Sequence, residues 1–533
     1  MTSHQTDDWT MDAALRHWAH ARPETPFASF SDGRSLGFGE LDRAASQVAT
    51  GLAGLGVGPG DRVLIMAPNC ADFLVAVLAT HRRRAVVVPV NVELHGALLA
   101  HQVSTSRPAL IIATADLMPR IDALSADVAG HARRVVLDGD GGKRTTAFAV
   151  LAATPADESA ILRPSASDLA LVMYTSGTTG PAKGVLMPHA HCYVFGILVG
   201  RALAVTPADR FYVCMPMFHV NALLMSIGCC LIAGATVYVA ERFSASSWLS
   251  DILDCGATVT NALGVMPEFI MRQPASDTDR AHTLTRMMAV PIAAEWGQRF
   301  IDRFGIQLVQ VYGMTECNII AHGCMDDPLE PGCAGLLVHD LFEVCIADPE
   351  TDAALPTGQI GEILVRPCLA SCFMQGYCEM PADTVQAWRN LWFHTGDAGR
   401  IDAEGRLHFV DRIRDCIRRR GENISSYDVE QAVISHPAVA ECAAVGIRIE
   451  GAGGEDEVKV CLVLQAPLEP SALLDWCVEI LPRFAVPRFV EVVPALEKTS
   501  TGKVRKDDLR RSGITAETWD REAAGYALPR DGR

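Results

Sequence analysis

The stretch Tyr174-Thr-Ser-Gly-Thr-Thr-Gly-Pro-Ala-Lys-Gly-Val185 crowds hydroxyls, glycines and one lysine into a short turn. Glycine tolerates positive φ and lets a backbone approach a ligand closely, so Gly177 and Gly180 give such a turn its room. The hydroxyls of Thr175, Ser176, Thr178 and Thr179, with backbone N–H groups, can then surround phosphate oxygens, and Lys183 adds a point charge. A nucleotide loop of the Walker type needs lysine followed directly by Ser or Thr, whereas Gly184 follows here, so a different phosphate cradle is implied. A plain surface turn is the competing reading, and the density of hydroxyls weighs against it.

Four further segments join a turn to a charged side chain. Val311-Tyr-Gly-Met-Thr-Glu316 ends in a carboxylate, Phe393-His-Thr-Gly-Asp397 sets an acid just past a glycine, Asp411-Arg-Ile-Arg-Asp415 alternates charges, and Lys498-Thr-Ser-Thr-Gly-Lys503 ends in lysine. Taken singly, each has an ordinary structural reading: a surface carboxylate, a turn-forming Asp, a solvated linker and a tail lysine.

The elements that must position these segments show in the hydrophobic pattern. Leu169 to Met173 is an apolar strand leading into the hydroxyl-rich loop, and Gln307 to Gln310 is strand-like ahead of Val311. Upstream, Arg62 to Ala67 reads as a strand, Ala71 to His81 as a helix and Ala85 to Val90 as a strand, which is βαβ punctuation and favours an α/β fold of layered subdomains with crossover helices. After Val410 the polar, basic segment from Asp411 to Ser426 separates a second unit. There Val429 to Ser435 and Ser471 to Ile480 read as helices, and Ala440 to Ile447 and Glu457 to Leu464 as strands. The expected organisation is a large N-terminal region, residues 1–410, and a small α+β C-terminal domain, residues 411–533.

Together and in this order, the segments resemble those of the adenylate-forming enzymes: acyl- and aryl-CoA ligases, luciferases and peptide-synthetase adenylation domains. The resemblance runs from about Met11 to Arg510, and the stretches Phe393 to Gly399 and Asp411 to Ser426 look most like the carnitine-CoA ligase branch. It implies that ATP and Mg²⁺ serve to join a carboxylic acid to AMP with release of pyrophosphate, and that the C-terminal domain is mobile. By the same resemblance Tyr312 stacks on adenine beside Gly313, Thr315 contacts phosphate, Glu316 holds Mg²⁺, Asp397 accepts hydrogen bonds from the ribose hydroxyls and Arg412 contacts ribose or phosphate. Arg414 takes the hinge position. Lys503 becomes the leading catalytic candidate, because a preplaced ammonium stabilises the charge that spreads over the α-phosphate during attack.

The acid pocket is expected around Met215-Pro-Met-Phe-His-Val-Asn-Ala222, with His219, Val220 and Asn221, and around Ala289, Val290 and Pro291, with Gly313 and Met314 beside them. Phe218-His219 stands where amino-acid-activating relatives read Phe-Asp, so an ammonium substituent lacks its counter-charge and a hydrophobic acid is favoured. His219 either gates the carboxylate or fills a core position. In the family's second step the acyl group moves to a thiol, most often that of coenzyme A. Here Ile417-Arg-Arg-Arg-Gly-Glu-Asn423 carries Arg418 for a lysine and Arg420 for a glycine ahead of Gly421. The Arg420 side chain could obstruct the thiol tunnel or fold outward onto the coenzyme's phosphates. Thioester formation with coenzyme A is the leading expectation. Transfer of the acyl-AMP to a partner enzyme is its rival; a non-catalytic nucleotide-binding relative and a luciferase-like oxygenase are more distant ones.

Composition narrows the field from the other side. The net charge of −17 repels nucleic acid phosphates, and no basic run carries interleaved aromatics. Met1 to Asp12 lacks the pattern of a secretory signal, and the apolar run from Asn221 to Ala240 is interrupted by Gly228 and Gly234, so it reads as buried core rather than a membrane span. Seventeen cysteines without an export signal point to reduced thiols and a cytoplasmic protein, and Cys368 and Cys372 lack the partners a zinc site requires. A homodimer is the default for a soluble enzyme of this kind.

Overall fold

The computed structural model describes residues 8–175, 182–264, 266–290, 292, 296–325, 327–413, 415, 417–419, 422–448, 456–498 and 504–528. The chain divides into two compact units. The first comprises Met1–Thr175, Pro181–Val344 and Val365–Phe393, and the second contains Cys345–Leu364 and His394–Arg533.

The first unit is built on two large sheets. One has the strand order Gly376–Tyr377, Lys183–Pro188, Leu169–Thr175, Val86–Pro89, Arg62–Met66, Leu110–Ala113, Arg133–Val136, Thr146–Ala147. Its neighbours run parallel from Leu169–Thr175 outward to Thr146–Ala147, and only Lys183–Pro188 and Gly376–Tyr377 join antiparallel. The other sheet has the order Gln307–Val309, Arg286–Val290, Val259–Leu263, Arg210–Val213, Thr236–Val239, Pro26–Phe30, Ser35–Gly37, parallel throughout except for its last pair. The expected strands at 62–67, 85–90 and 169–173 and the helix Ala71–His81 are all present.

Local sequence explains these choices. Val86–Pro89 is a continuous apolar run buried at every position, as a central parallel strand covered on both faces must be. Helix Ala71–His81 is buried at every residue except Asp72, so it lies inside the layers rather than on them. Leu64, Val86, Ile111 and Val172 share one core cluster; Trp248, Met287, Phe300 and Phe304 share another. The apolar run beginning at Asn221 is buried, and it opens as a π-helix, Asn221–Gly228, before Cys229–Ala233 and the strand Thr236–Val239. No helix among the described residues is long and apolar enough to cross a membrane. The sixteen described cysteines are all free thiols.

The second unit holds the antiparallel pair Phe393–Ile401 and Arg406–Arg412 and a four-stranded sheet ordered Val439–Arg448, Asp456–Leu464, Phe489–Val492, Trp519–Asp520. Helices Ser426–Ile434 and Pro470–Ile480 contribute Val429, Val433, Leu473 and Leu474 to its core. The first of these helices begins at Ser426, three residues before the position expected from apolar periodicity. Its start is fixed by polar groups: the Ser425 hydroxyl accepts from Asp428 N at 3.1 Å, and Asp411 accepts from Ser426 N at 2.6 Å. Nor is 411–426 a plain linker. Ile417–Arg419 and Glu422–Ile424 pair as an antiparallel ribbon, and Ile417 and Ile424 are buried in the core.

One buried ion cluster ties the start of the chain to the first sheet. Arg82, with its side chain 2% exposed, donates to Asp12 at 2.7 Å, to Asp42 at 2.5 Å and to the Ser46 hydroxyl at 2.6 Å. Removing one partner from a buried pair strands a charge in low dielectric. We expect Asp12→Ala to destabilise the first unit by about 3 kcal/mol in urea titration. Nearby, the rings of His81 and His189 meet edge to face at 4.6 Å. Burial lowers the His81 pKa to about 4 and pushes His189 down as well. Both are therefore neutral in the folded chain at a pH where the unfolded chain, titrating near 6.5, already binds protons. The unfolded state then holds more protons, so stability falls as pH drops from about 6.5 toward 4. We expect His81→Gln to shrink the difference between urea midpoints measured at pH 7.5 and pH 5.

Candidate functional site

In the first unit the hydroxyl-rich loop is bounded by two paired strands, with Thr175 opposite Lys183 and Tyr174 opposite Gly184. Ser176, Gly177, Thr178, Thr179 and Gly180 lie outside the described residues, so their site is defined by its two ends. The entering strand is pinned by Tyr174, whose hydroxyl lies 2.6 Å from that of Thr105 and donates to Gln102 O at 3.1 Å. Burial pushes that hydroxyl's pKa up to about 12, so it stays a protonated donor. The leaving strand is held where a ring nitrogen of His101 meets Ala182 O at 2.9 Å.

Lys183 begins the leaving strand. Its ammonium donates to Asp383 at 2.5 Å and lies 4.9 Å from the centre of the Tyr377 ring. Tyr377 sits on the two-residue edge strand Gly376–Tyr377, opposite Val185, and its hydroxyl donates to Glu316 Oε1 at 3.1 Å. Burial, with the neighbouring Glu316 carboxylate, holds that hydroxyl well above its ordinary pKa. Lys183 and Glu316, 133 positions apart in sequence, thus meet on the two sides of one tyrosine. Nothing local in the sequence announces Tyr377; the pairing of Gly376–Tyr377 with Lys183–Pro188 puts it there.

Glu316 is buried, in the turn between the antiparallel strands Val311–Met314 and Asn318–His322. Tyr312 is buried within the first of these, and Met314 is half-buried. Gly313 is required where it stands: a Cβ there would lie 2.2 Å from Asn318 O. The turn is held from beneath by His191, a buried residue that sequence reasoning passed over. Its Nε2 lies 2.8 Å from Thr315 O, and its Nδ1 lies 3.3 Å from Asn318 Nδ2 and 3.0 Å from Cys372 O. Burial lowers its pKa, so the ring is neutral and donates one hydrogen, from Nε2 to Thr315 O or from Nδ1 to Cys372 O. Thr315 is anchored through its backbone and keeps its hydroxyl for other work.

The segment expected to line an acid pocket is also in this unit. Asn69, another residue without a local signal, donates to Met215 O at 3.0 Å and Ala240 O at 2.9 Å and accepts from Met217 N at 2.8 Å. His219 is half-buried against the Phe218 ring at 4.7 Å, and Val220 is buried. Asn221 opens the π-helix, a form often found at functional sites. Its Oδ1 accepts from Asn261 Nδ2 at 2.9 Å, and Asn261 Nδ2 also donates to Ser226 at 2.7 Å. Asn221 Nδ2 and Asn261 Oδ1 are buried and have no partner among the described residues. On strand Arg286–Val290, Ala289 faces the Trp248 and Phe300 core and Val290 is half-buried; Pro291 lies outside the described residues.

In the second unit Asp397 is buried in strand Phe393–Ile401 directly opposite Arg412, with Oδ1 3.6 Å from Arg412 Nε. The bend before it is over-determined. Thr395 donates to Ile363 O at 2.8 Å and accepts from Asp397 N at 3.1 Å, and Gly396, at φ +71°, donates to Glu362 at 3.0 Å. Glu362 also meets His394 Nδ1 at 2.9 Å. Asp411 accepts from Arg412 N at 2.7 Å and from the Ser426 hydroxyl at 2.7 Å. Lys506 donates to Ser426 at 2.6 Å and pairs with Glu430 at 2.8 Å, and Arg510 pairs with Asp415 and, at 2.7 Å, with Asp507. Arg414, Arg420, Gly421 and Lys503 lie outside the described residues, and Arg418 enters only through its backbone pairing with Asn423. The residues flanking the 499–503 segment, Lys498 and Val504, form an antiparallel bridge.

Comparison with known proteins accounts for this set of features. Residues 15–378 match the AMP-binding enzyme family, and residues 428–503 match the AMP-binding enzyme C-terminal domain. A medium/long-chain-fatty-acid–CoA ligase, FadD6, of Mycobacterium tuberculosis is 31% identical over 93% of this chain and 84% of its own length. A crotonobetaine/carnitine–CoA ligase of Salmonella typhi is 29% identical over 90% of this chain and 93% of its own. Among solved structures, ATP-bound MatB of Rhodopseudomonas palustris superposes with a TM-score of 0.84 at 26% identity, covering 95% of this chain and 99% of that one. O-succinylbenzoate coenzyme A synthetase of Bacillus subtilis, in complex with AMP, superposes with a TM-score of 0.80 at 26% identity, covering 95% and 98%. With both family models matched in order and the fold shared across nearly its whole length, the chain belongs to the family of AMP-binding, adenylate-forming enzymes.

Proposed function

We propose that this protein is an AMP-forming acid–thiol ligase: it activates a hydrophobic carboxylic acid to an acyl-AMP and then forms the thioester with coenzyme A. The observation that carries the first step is the meeting of Lys183 and Glu316 on one tyrosine, beside the paired ends of a glycine- and hydroxyl-rich loop. An ammonium and a buried carboxylate so placed suit the two halves of a metal-bound triphosphate. Glu316 fits the cation, because it offers the hard carboxylate oxygen that Mg²⁺ takes alongside phosphate oxygens and retained waters. Held by Glu316, Mg²⁺ would neutralise phosphate charge.

The protein's own groups supply the rest. Thr175 and the loop that follows cradle the phosphates, Thr315 presents its hydroxyl to the α-phosphate, and Tyr312 offers its ring to adenine. Asp397 takes the ribose hydroxyls with Arg412 beside it. A carboxylate oxygen of the acid attacks the α-phosphorus and forms the acyl-AMP bond while the bond to pyrophosphate breaks. Lys503 stabilises the charge on the phosphate as this happens. The thiolate of coenzyme A then attacks the acyl carbonyl, and AMP leaves. We assign His219, Val220, Asn221 and Met314 to the surroundings of the acyl group. Arg414 is the hinge residue; Arg418 and Gly421 contact the coenzyme. A cytosolic location agrees with thiols that remain free, and a homodimer is part of the same reading, checked by sedimentation.

Three outcomes test the function. With ATP, Mg²⁺ and a panel of fatty, aromatic and polycyclic acids, we expect pyrophosphate release that depends on the acid and, once coenzyme A is added, one thioester per AMP; AMP without coenzyme consumption would overturn the second step. We expect Lys503→Ala to slow acid-dependent ATP–pyrophosphate exchange by ~10²-fold or more, as loss of a transition-state donor does. We expect His191→Leu, which removes the support under Thr315, to slow the same exchange about tenfold and to cost about 1–3 kcal/mol in urea titration, because a buried carbonyl loses its donor.

A further inference from the structure

We propose that Asp383 is the resting counter-ion of Lys183, a positioning residue that holds the ammonium in place at the loop's exit and yields it to phosphate when ATP binds. This inference rests on the reading of Lys183 as a phosphate-facing group. The Lys183 ammonium is 2.5 Å from Asp383 Oδ1 and stands over the face of Tyr377, whose hydroxyl is already committed to Glu316. Tyr377 thus gives its hydroxyl to the carboxylate and its face to the ammonium, and Asp383 takes the charge itself.

The holder is rigid. Tyr377 N donates to the Thr384 hydroxyl at 2.9 Å, which in turn donates to Met380 O at 2.9 Å, so the strand Gly376–Tyr377 and the helix Pro381–Ala387 carrying Asp383 are bolted together. Gly376, at φ +141°, allows that approach: a Cβ there would lie 2.8 Å from the Thr384 side chain. The ion pair, by contrast, is exchangeable. The Lys183 and Asp383 side chains are 37% and 44% exposed, and pairs this wet contribute little. A metal-bound phosphate, with more charge and more acceptor oxygens than one carboxylate, displaces Asp383 without stranding a buried charge. Between turnovers Asp383 occupies the Lys183 ammonium, and ATP must compete with it.

The test is a double-mutant cycle on the full-length protein, with ATP as the probe: native, Asp383→Asn, Lys183→Gln and the double variant. We expect Asp383→Asn to lower the KM for ATP about two- to fivefold, the range for release of an exposed pair, without moving the KM for the acid, and Asp383→Glu to restore the native value. In the Lys183→Gln background the same change should have no effect. An unchanged or raised KM for ATP in Asp383→Asn, or an equal decrease in both backgrounds, overturns the proposal; the latter would mean that Asp383 merely repels ATP from a distance. Where turnover of the Lys183→Gln variant is too slow, calorimetric ATP affinities carry the same comparison. The two readings fail separately. If Lys183→Gln alone leaves ATP binding unchanged, the assignment of Lys183 to phosphate falls; if it weakens binding while Asp383→Asn does nothing, only the counter-ion role falls.

Discussion

The pairing of Thr175 with Lys183 is the constraint on which the first unit's chemistry depends. A strand at the end of a parallel run leaves the sheet, and its chain returns antiparallel within seven residues. Seven residues separate these two partners, so the ends of the intervening segment are fixed in register at that edge of the sheet. The same return strand then recruits Gly376–Tyr377, nearly two hundred positions later, and with it Tyr377 and Asp383. One register therefore decides where the lysine emerges, which ring lies under it and which carboxylate it meets. A slip by one residue would turn Lys183 to the opposite face and dismantle all three contacts.

What the sequence made legible follows from this. Strands 62–67, 85–90 and 169–173 and helix 71–81 were readable because each is short, apolar and locally punctuated, and their burial is nearly complete. The charged motifs were readable because unusual residue types stand close together in each. His191, Asn69, Tyr377 and Asp383 were not, because each acts across sixty or more residues, through a contact that only the folded chain creates. The start of the helix at Ser426 was missed for a different reason. Apolar periodicity marks where a helix buries its face, whereas Asp411 and Ser425 fix where it begins, by capping polar groups.

The second unit shows how polar chemistry can organise a segment that looks like a linker. Asp411 is bound to the first turn of helix Ser426–Ile434, whose Glu430 is paired with Lys506, and Arg510 reaches back to Asp415. Burial raises the Glu430 pKa, and Lys506 opposes that shift. The pair persists because each member is what makes the other tolerable in a dry setting, and Ala444 N and the Ser426 hydroxyl complete their hydrogen bonds. Residues on both sides of the segment expected to hinge are thereby fastened to the helix Lys506–Ser512, three residues beyond Lys503.

Two ion pairs of the first unit, one arginine-based and one lysine-based, make the same bond with opposite consequences. Arg82 with Asp12 is sealed, the side chains being 2% and 0% exposed, and Asp42 and Ser46 add to its hydrogen bonds, so its role is to fix one packing arrangement; no ligand could replace Asp12 there without first opening the core. Lys183 with Asp383 has nearly the same separation but stands in water. Its strength is low for the reason that its exchange is fast: solvent already screens each charge, so separation costs little and a stronger anion wins. Burial, rather than bond length, distinguishes a pair that holds a fold from a pair open to exchange.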